Sequence, residues 1–593
     1  MRFTNLKQIP FSRSVISSFK GYNHNLCIGA GEFYDMKNMT GDYFPVLSPR
    51  GRRLRDAARN HASWDPTFNK PQAMLDMNGL CFLNNGVLYL NYDENNHRYS
   101  QVNLGLSLEE DFLPKKLVKF GSYIIVLPDK KYFNTVDPED KGEIEQSVFS
   151  GENGTVFPFD LKNEKTFMIA NWSDTAPENP SDGDYWVDTS APINALMQYS
   201  AADGLWHQRT SYLQLRAEAS MEGFQTDDWV IVSCIGFSTE NAVRVVSVGE
   251  NYVVVEAPPV QMEMAAFTVS REMPQMDFVF EHENRLWGCR YGKANNGQFV
   301  NEIYASKLGD FKNWNSFQGV STDSYVASCG TDGPWTGAIK ALGYPLFFKE
   351  NYLHKVYGSY PANYQIQTIP CRGVQEGCEK SLAAVNEVLF YKSLSGVCAY
   401  DGSLPVCVSE NLGRVKYSEA VAGGVGNKYY ISMKDDGGDY HLFCFDTQKG
   451  FWHREDNLQV DEFCTVGDEL FYIENNSPYI RIMPGGVGSV AEKEVSWYAE
   501  TGVIGTDDPD HKYISRITVR MSMAVGTRVR FLVEYDSTGN WESLASIAGR
   551  KLDSFTIPLR PKRCDHLRLR MEGEGDAKIY AITLCKTKGS DLR

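Results

Sequence analysis

Apolar residues along the 593-residue chain fall in short runs and strict alternations, almost never at helical spacing. A turn residue followed by a short aromatic-rich strand recurs seven times. The instances are Asn85-Gly-Val-Leu-Tyr-Leu90, Gly121-Ser-Tyr-Ile-Ile-Val126, Glu283-Asn-Arg-Leu-Trp287, Gly343-Tyr-Pro-Leu-Phe-Phe348, Asn386-Glu-Val-Leu-Phe-Tyr391, Gly426-Asn-Lys-Tyr-Tyr-Ile431 and Gly467-Asp-Glu-Leu-Phe-Tyr472. The last four are spaced by 43, 40 and 41 residues. Partner strands follow, as in Gly396-Val-Cys-Ala-Tyr400 and Tyr440-His-Leu-Phe-Cys-Phe-Asp446, each closing at a Gly or Asp-Gly turn. A period of 40–45 residues is that of a four-stranded propeller blade. One small sheet cannot bury both faces, and blades set radially bury them against each other.

The pattern predicts an all-β chain: a β-propeller of six or seven blades, an inserted small β module and a C-terminal β-sandwich. Glu283 follows Gly121 by 162 positions, too many for one loop. The expected division is an N-terminal extended arm over 1–60, first blades over 61–149, the inserted module over 150–272, the remaining blades over 273–489 and the sandwich over 490–593. Asp228-Trp-Val-Ile-Val232, Ala242-Val-Arg-Val-Val246 and Tyr252-Val-Val-Val-Glu256 read as short consecutive strands of a small barrel within the insertion. The arm is rich in Gly, Asn, Pro and Arg, and is suited to add a closing strand to the last blade or to reach a neighbouring subunit.

Composition narrows the function. The net charge is −16, which disfavours a dedicated nucleic-acid binder. Residues 511–593 carry 16 Lys+Arg against 9 Asp+Glu, a net of +7 that leaves −23 for the rest. Alternating arginines on the wet face of the sandwich strands account for most of this balance. No apolar run reaches membrane-spanning length, and the first ten residues lack the apolar stretch of a signal peptide, so synthesis in a cytoplasm is expected. The 13 cysteines form no C-x-x-C pair, and the nearest two, Cys371 and Cys378, match no zinc spacing. They read as free, mostly buried thiols.

No catalytic signature stands out: G-x-S-x-G, G-x-x-x-x-G-K-[ST] and H-E-x-x-H are all missing from the sequence. No catalytic residues, metal ligands or cofactors are therefore expected. His453, beside Trp452, Arg454 and Glu455, reads as a turn-flanking blade residue. Asp310 with Trp314, and Asp446 with Gly450 and Trp452, faintly suggest the Asp-and-Trp turn of sialidase blades, but the spacing does not match and a turn cap is the simpler reading. Tyr185, Trp186, Tyr199 and Trp206 in the insertion form a candidate glycan platform, because aromatic faces suit the apolar C–H faces of sugars. The alternative is that so small a module uses them as its core.

Arg285-Leu-Trp-Gly288, Asn301-Glu-Ile-Tyr-Ala-Ser306 and Gly309-Asp-Phe-Lys-Asn-Trp-Asn315, together with the arm's Asn38, Pro45 and Arg52-Arg53, resemble the tail propeller proteins of tailed phages. That family includes tail-tube nozzle and tail-stabilisation proteins. Phe347-Phe-Lys-Glu-Asn351 with Lys355-Val-Tyr357 resembles a blade in prophage proteins of gut Firmicutes, and Tyr185-Trp-Val-Asp188 resembles short modules of phage tail proteins. The resemblance implies a non-enzymatic virion protein, made in the bacterial cytoplasm and sited in the tail. Its implied partners are copies of itself in a closed, often six-fold ring and neighbouring tail or connector proteins. Genomic DNA would pass such an acidic ring without specific binding. A host-glycan-binding or glycan-cleaving tail propeller is the alternative. The long insertion and the C-terminal β domain depart from the family.

Overall fold

The computed structural model describes residues 11–55, 70–93, 98–109, 114–234, 237–238, 242–261, 263–264, 266–294, 297–486, 489–490, 492–506, 512–549, 551–558 and 562–588. Strands dominate; helical turns among these residues are confined to Pro361–Asn363, Glu379–Ser381 and Glu410–Leu412. None of the described helices is long and apolar enough to cross a membrane.

Seven small antiparallel sheets follow one another, at residues 73–103, 116–143, 278–328, 337–370, 383–407, 417–454 and 460–482. The second strand of each is apolar at successive positions because both faces are buried. In the fourth sheet Phe347 packs with Trp287 and Ile303 of the third, while its neighbour Phe348 joins the layer shared with Leu389 and Tyr391 of the fifth. In the seventh sheet Tyr472 packs with Tyr430 and Leu442 of the sixth, and Phe471 with Leu80 and Phe82 of the first. Leu83 and Leu88 of the first sheet meet Ile124 and Val126 of the second, whose Ile125 turns to Val279 and Leu286 of the third. The layers thus run in a cycle. The first strands meet around it as well, with the turn Glu379–Ser381 standing between the fourth and fifth sheets. The result is a propeller-like ring. Burying each such Phe or Leu contributes about 1.5–3 kcal/mol.

Tight turns join the first and second strands, and several need left-handed backbone: Glu283 and Asn284 both have positive φ, as do Leu342 and Gly343. One repeat was placed a strand too late. Asn85 opens the third strand of the first sheet, Val87–Asp93; the equivalent turn is Asn78-Gly79, before Leu80–Asn84. From Gly79 to Gly121 the spacing is then 42 residues, within the period of the other sheets.

Instead of standing free as an arm, the described part of the N-terminal segment is sewn into the body at several places. Phe11–Ile16 pairs antiparallel with Ala577–Lys588, near the other end of the chain. Tyr22 pairs with Trp452 in the outer strand of the sixth sheet, and Gly21–Tyr22 lies parallel to Glu32–Lys37. Glu32–Lys37 pairs in turn with Ser496–Thr501. Leu54–Arg55 pairs with Ile480–Ile482 and supplies the fourth strand of the seventh sheet. The expected closing strand is therefore Leu54–Arg55. Residues 1–10 and 56–60 of the predicted arm lie outside the described residues.

These additions fuse the C-terminal part with the ring. The sixth sheet continues through Gly21–Tyr22, Glu32–Lys37, Ser496–Thr501, Leu567–Glu574, Arg528–Tyr535 and Trp541–Ala548 as one ten-stranded sheet. A second sheet, Phe11–Ile16, Ala577–Lys588, Lys512–Met523 and Asp553–Ile557, shares its apolar layer, with Ile517, Val519 and Met521 packed in one cluster with Phe531, Val533 and Leu569. Arg516, Arg520, Arg528 and Arg530 are exposed, as their alternation predicts, whereas Arg568 and Arg570 are half-buried over Tyr34 and Tyr498. The C-terminal layers thus depend on strands from the N-terminus, which 490–593 alone does not contain.

The insertion leaves the ring after the second sheet and returns before the third. Its strands run from Gln146–Ser150 to Phe267–Arg271 around a valine-rich core, including Val230, Val232, Val253 and Val255. The predicted barrel does not close. Among the described residues the sheet ends on the two-residue strand Lys165–Thr166, where the chain leaves for a separate four-stranded sheet. Trp229 N donates to Asn313 Oδ1 at 2.7 Å, tying the insertion to the third sheet, while buried Arg271 pairs with Asp228 and donates to Ile144 O at 2.9 Å, just past the second sheet.

A buried ionic cluster locks the N-terminal segment. Arg50 donates to both oxygens of Glu492, at 2.7 and 2.9 Å, and to Asn38 Oδ1 at 2.9 Å. Arg53 pairs with Glu455 at 2.7 Å and Asp456 at 2.8 Å. Burial alone would raise the Asp456 carboxyl, but Arg53 and Arg50 hold it below its ordinary value. Glu492 is lowered in the same way, by Arg50 against burial. Removing one partner of such a network strands the other charges. Arg50→Met or Arg53→Met is expected to cost about 3–5 kcal/mol, read as a lower urea midpoint. Because these folded-state pKa values are depressed, the stabilisation is complete above the unfolded values of 3.8 and 4.5 and is lost as pH falls through the folded ones. Urea midpoints measured at falling pH are expected to drop from about pH 4.5 downward, and to drop less in Arg50→Met.

Candidate functional site

The aromatic residues singled out in the insertion lie on one small sheet: Asn171–Ser173, Tyr185–Asp188, Ala195–Ser200 and Leu205–Arg209, in that order. Trp186 sits opposite Met197, and Tyr199 opposite Trp206. Side chains alternate across a strand, so Trp186, Tyr199 and Trp206 share one face. Their rings touch: Trp186 and Trp206 lie 5.5 Å apart at 69°, and Tyr199 and Trp206 lie 5.4 Å apart at 57°. Trp186 is buried and donates its indole N–H to Ser173 O and Oγ, both at 3.1 Å, while Tyr199 and Trp206 are half-exposed. Edge-to-face contact of this kind holds the two outer rings in place.

Tyr185 points the other way. It packs on the opposite face, with Ile169, Val187 and Leu196 and with Phe167 and Trp172. That face is the module's core. Sequence pattern placed four aromatics in one group; the sheet brings three together and gives the fourth to packing. A strand register was needed to separate them, and alternation alone in Tyr185-Trp186 already hinted at the split. The chain around the aromatic face is fixed by short polar turns. Asp182 Oδ1 accepts from Ala201 N at 2.8 Å, and Asp203 Oδ2 lies 2.7 Å from His207 Nε2.

The other residues weighed for chemistry are occupied. Asp446 caps its turn, accepting from the backbone N–H of Gln448 and Lys449 and from Lys449 Nζ at 2.8 Å. Asp310 accepts from Lys312 N and Asn313 Nδ2, and Trp314 fills the layer between the second and third sheets. His453 is buried in the sixth sheet against Phe451, and burial lowers its pKa to about 3. It stays neutral and structural at ordinary pH. All 13 cysteines are free and only Cys27 is exposed. Among the described residues no group of three or more His, Cys, Asp and Glu is placed to hold a metal.

One region that sequence reasoning missed lies where the first, sixth and seventh sheets meet the turn Glu379–Ser381. A cavity of about 530 Å³ is lined by Lys70, Lys380, Glu419, Asp461 and Glu462, drawn from different sheets. Lys70 pairs with Asp461, and Glu462 Oε1 accepts from Met74 N at 3.0 Å. β-Bulges interrupt both adjoining first strands here, between Ser418 and Val421 and between Val460 and Glu462. Its cations and carboxylates satisfy one another, so the cavity favours no charge.

No protein-family model and no curated protein matches the chain. Among solved structures it is similar to an exo-β-1,3-galactanase of Phanerochaete chrysosporium, at 9% identity over 70% of this chain and 99% of that one, with a TM-score of 0.14. The same enzyme with galactose aligns at 8% identity over 74% of this chain, again with a TM-score of 0.14. A Cry1Da tryptic core variant of Bacillus thuringiensis aligns at 9% identity over 52% of each chain, with a TM-score of 0.12. Superpositions this loose carry no weight for function.

The two faces of the small sheet respond differently to truncation. Trp206→Ala and Tyr199→Ala are expected to leave the melting temperature within about 2 °C of the parent, whereas Tyr185→Ala, which opens the packed face, costs about 2–4 kcal/mol locally. Limited proteolysis of the 171–209 region checks this: only the Tyr185 variant is cut faster.

Proposed function

We propose that the chain is a non-enzymatic structural and attachment protein of a phage tail. In this reading the seven sheets are the blades of a β-propeller that acts as a rigid body. Copies assemble symmetrically around the tail axis, beside neighbouring tail or connector proteins in the virion. The inserted small sheet presents Tyr199 and Trp206, backed by buried Trp186, to a host-surface glycan. The observation that carries the attachment role is the placement of these three rings on the face away from the module's own core. Aromatic surface turned from a core has no packing reason to persist, whereas sugar rings stack on it.

The tail setting is supported by the resemblance in Arg285-Leu-Trp-Gly288 and Gly309–Asn315. Those residues build the third sheet: Trp287 and Trp314 fill the layers to either side, and Arg285 holds the carbonyls of Ser306, Ser321 and Asp323. Closed symmetry would multiply a modest contact surface by the copy number. A glycan-cleaving role gains nothing from Asp310 and Asp446, whose oxygens are taken up by their own turns.

Two experiments separate the parts of this proposal. Native mass spectrometry with negative-stain class averages is expected to show closed rings, alone or with a phage connector; a monomer under all conditions contradicts symmetric assembly. A glycan array is expected to show binding that Trp206→Ala and Tyr199→Ala weaken at least about tenfold, a loss of about 1.4 kcal/mol. Equal binding by parent and variants removes the aromatic face from the proposal.

A further inference from the structure

A second cavity, of about 440 Å³, lies between the fifth and sixth sheets. Its wall includes Lys392, Cys407, Ser409, Arg414 and Lys416. Lys392 is 3% exposed. Its Nζ donates to Gln375 Oε1 at 2.6 Å and to Ser393 O at 2.6 Å. Both acceptors are neutral. An ammonium has three donors, so one is left over. The ionisable groups that act most on Lys392 are the thiols of Cys378, Cys398 and Cys407, and burial pulls its pKa down.

At the rim the chain adds more positive charge. Arg414 and Lys416 are exposed, and among the described residues neither has a carboxylate within ion-pair reach. The cavity wall contains a single acid, Glu410, also exposed. Three cations therefore face one carboxylate. The N-terminal segment fixes this rim. His24 N donates to Asn411 O at 2.8 Å, and Asn25 Nδ2 donates to Glu410 O at 3.0 Å. Gly413, at φ +80°, turns the chain from Glu410–Leu412 into Arg414; a Cβ there would lie 2.8 Å from His24 O.

A buried cation without an anion is costly, and natural interiors pair such groups. An anion entering from the rim would meet the free donor of Lys392 and the two exposed rim cations. The volume falls within the usual range for small-molecule sites. We infer that this cavity is a binding site for a small anionic ligand, a phosphate or carboxylate carried on a body of sugar size, with Lys392 at its floor and Arg414 and Lys416 at its rim. The site shares no residue with the aromatic face, so the two stand or fall separately.

Isothermal titration of the full chain at low salt tests this, with glucose 6-phosphate, glucuronate, inorganic phosphate and glucose as probes. At least one anionic probe is expected to bind with Kd below about 1 mM while glucose does not. The Arg414→Ala/Lys416→Ala double variant changes only exposed side chains and should melt as the parent does. It is expected to weaken anion binding at least tenfold, and Lys392→Met to abolish it. If Lys392→Met fails to fold, the double variant decides alone. Tighter binding of glucose 6-phosphate than of inorganic phosphate assigns the site to an anionic saccharide; equal binding assigns it to the free anion. Glucose binding as well as the anions, no anion binding at about 10 mM, or unchanged binding by the double variant would overturn the inference.

Discussion

Arg50 and Arg53 hold Glu455, Asp456 and Glu492 in a cluster that is largely closed to water, and the rest of the architecture depends on that lock. The three carboxylates come from the end of the sixth sheet and the approach to the C-terminal layers; the arginines come from the N-terminal segment. A cluster of this kind is not cheap to bury, since each ion loses hydration. What it supplies is position. With the arginines fixed, Leu54–Arg55 is delivered to the open edge of the seventh sheet, and Glu32–Lys37 is set between the sixth sheet and Ser496–Thr501. An unpaired strand edge is the weak point of any ring of sheets, and closure by a distant strand removes it.

That closure shapes one of the two candidate sites and leaves the other outside it. The anion cavity has a rim only because His24 and Asn25 hold the Glu410–Gly413 turn. The inserted module stands away from the clasp and is tied to the third sheet through Trp229 and Asn313, and to the end of the second through Arg271. It is therefore free to vary in sequence without opening the ring, as suits a module that meets an outside surface.

Much of the ring was legible in the chain because its physics is local. Pairs such as Phe347-Phe348 and Phe471-Tyr472 need apolar neighbours on both faces, and turn residues mark each repeat. The N-terminal segment was not legible as a clasp. Its strands are two to six residues long and its partners in the ring and the C-terminal layers lie hundreds of positions away, so neither period nor turn spacing reveals them. The insertion suggested a barrel because consecutive short strands look alike whether or not their ends meet. Tyr185 and Trp186 were grouped because composition ignores facing; only the pairing of Trp186 with Met197 and Tyr199 with Trp206 separates them. Lys392 drew no notice, since nothing in Tyr391-Lys392-Ser393 tells a buried lysine from a surface one.

The most direct test of the central claim is native-state hydrogen exchange of the full chain at rising denaturant, followed by mass spectrometry. If the N-terminal segment clasps ring and C-terminal layers into one unit, amides of Ile480–Ile482, Phe451–Arg454, Ser496–Thr501 and Ala577–Lys588 lose protection together, at one denaturant concentration. Loss of protection in Ala577–Lys588 well before Ile480–Ile482, as two independent steps, would contradict it.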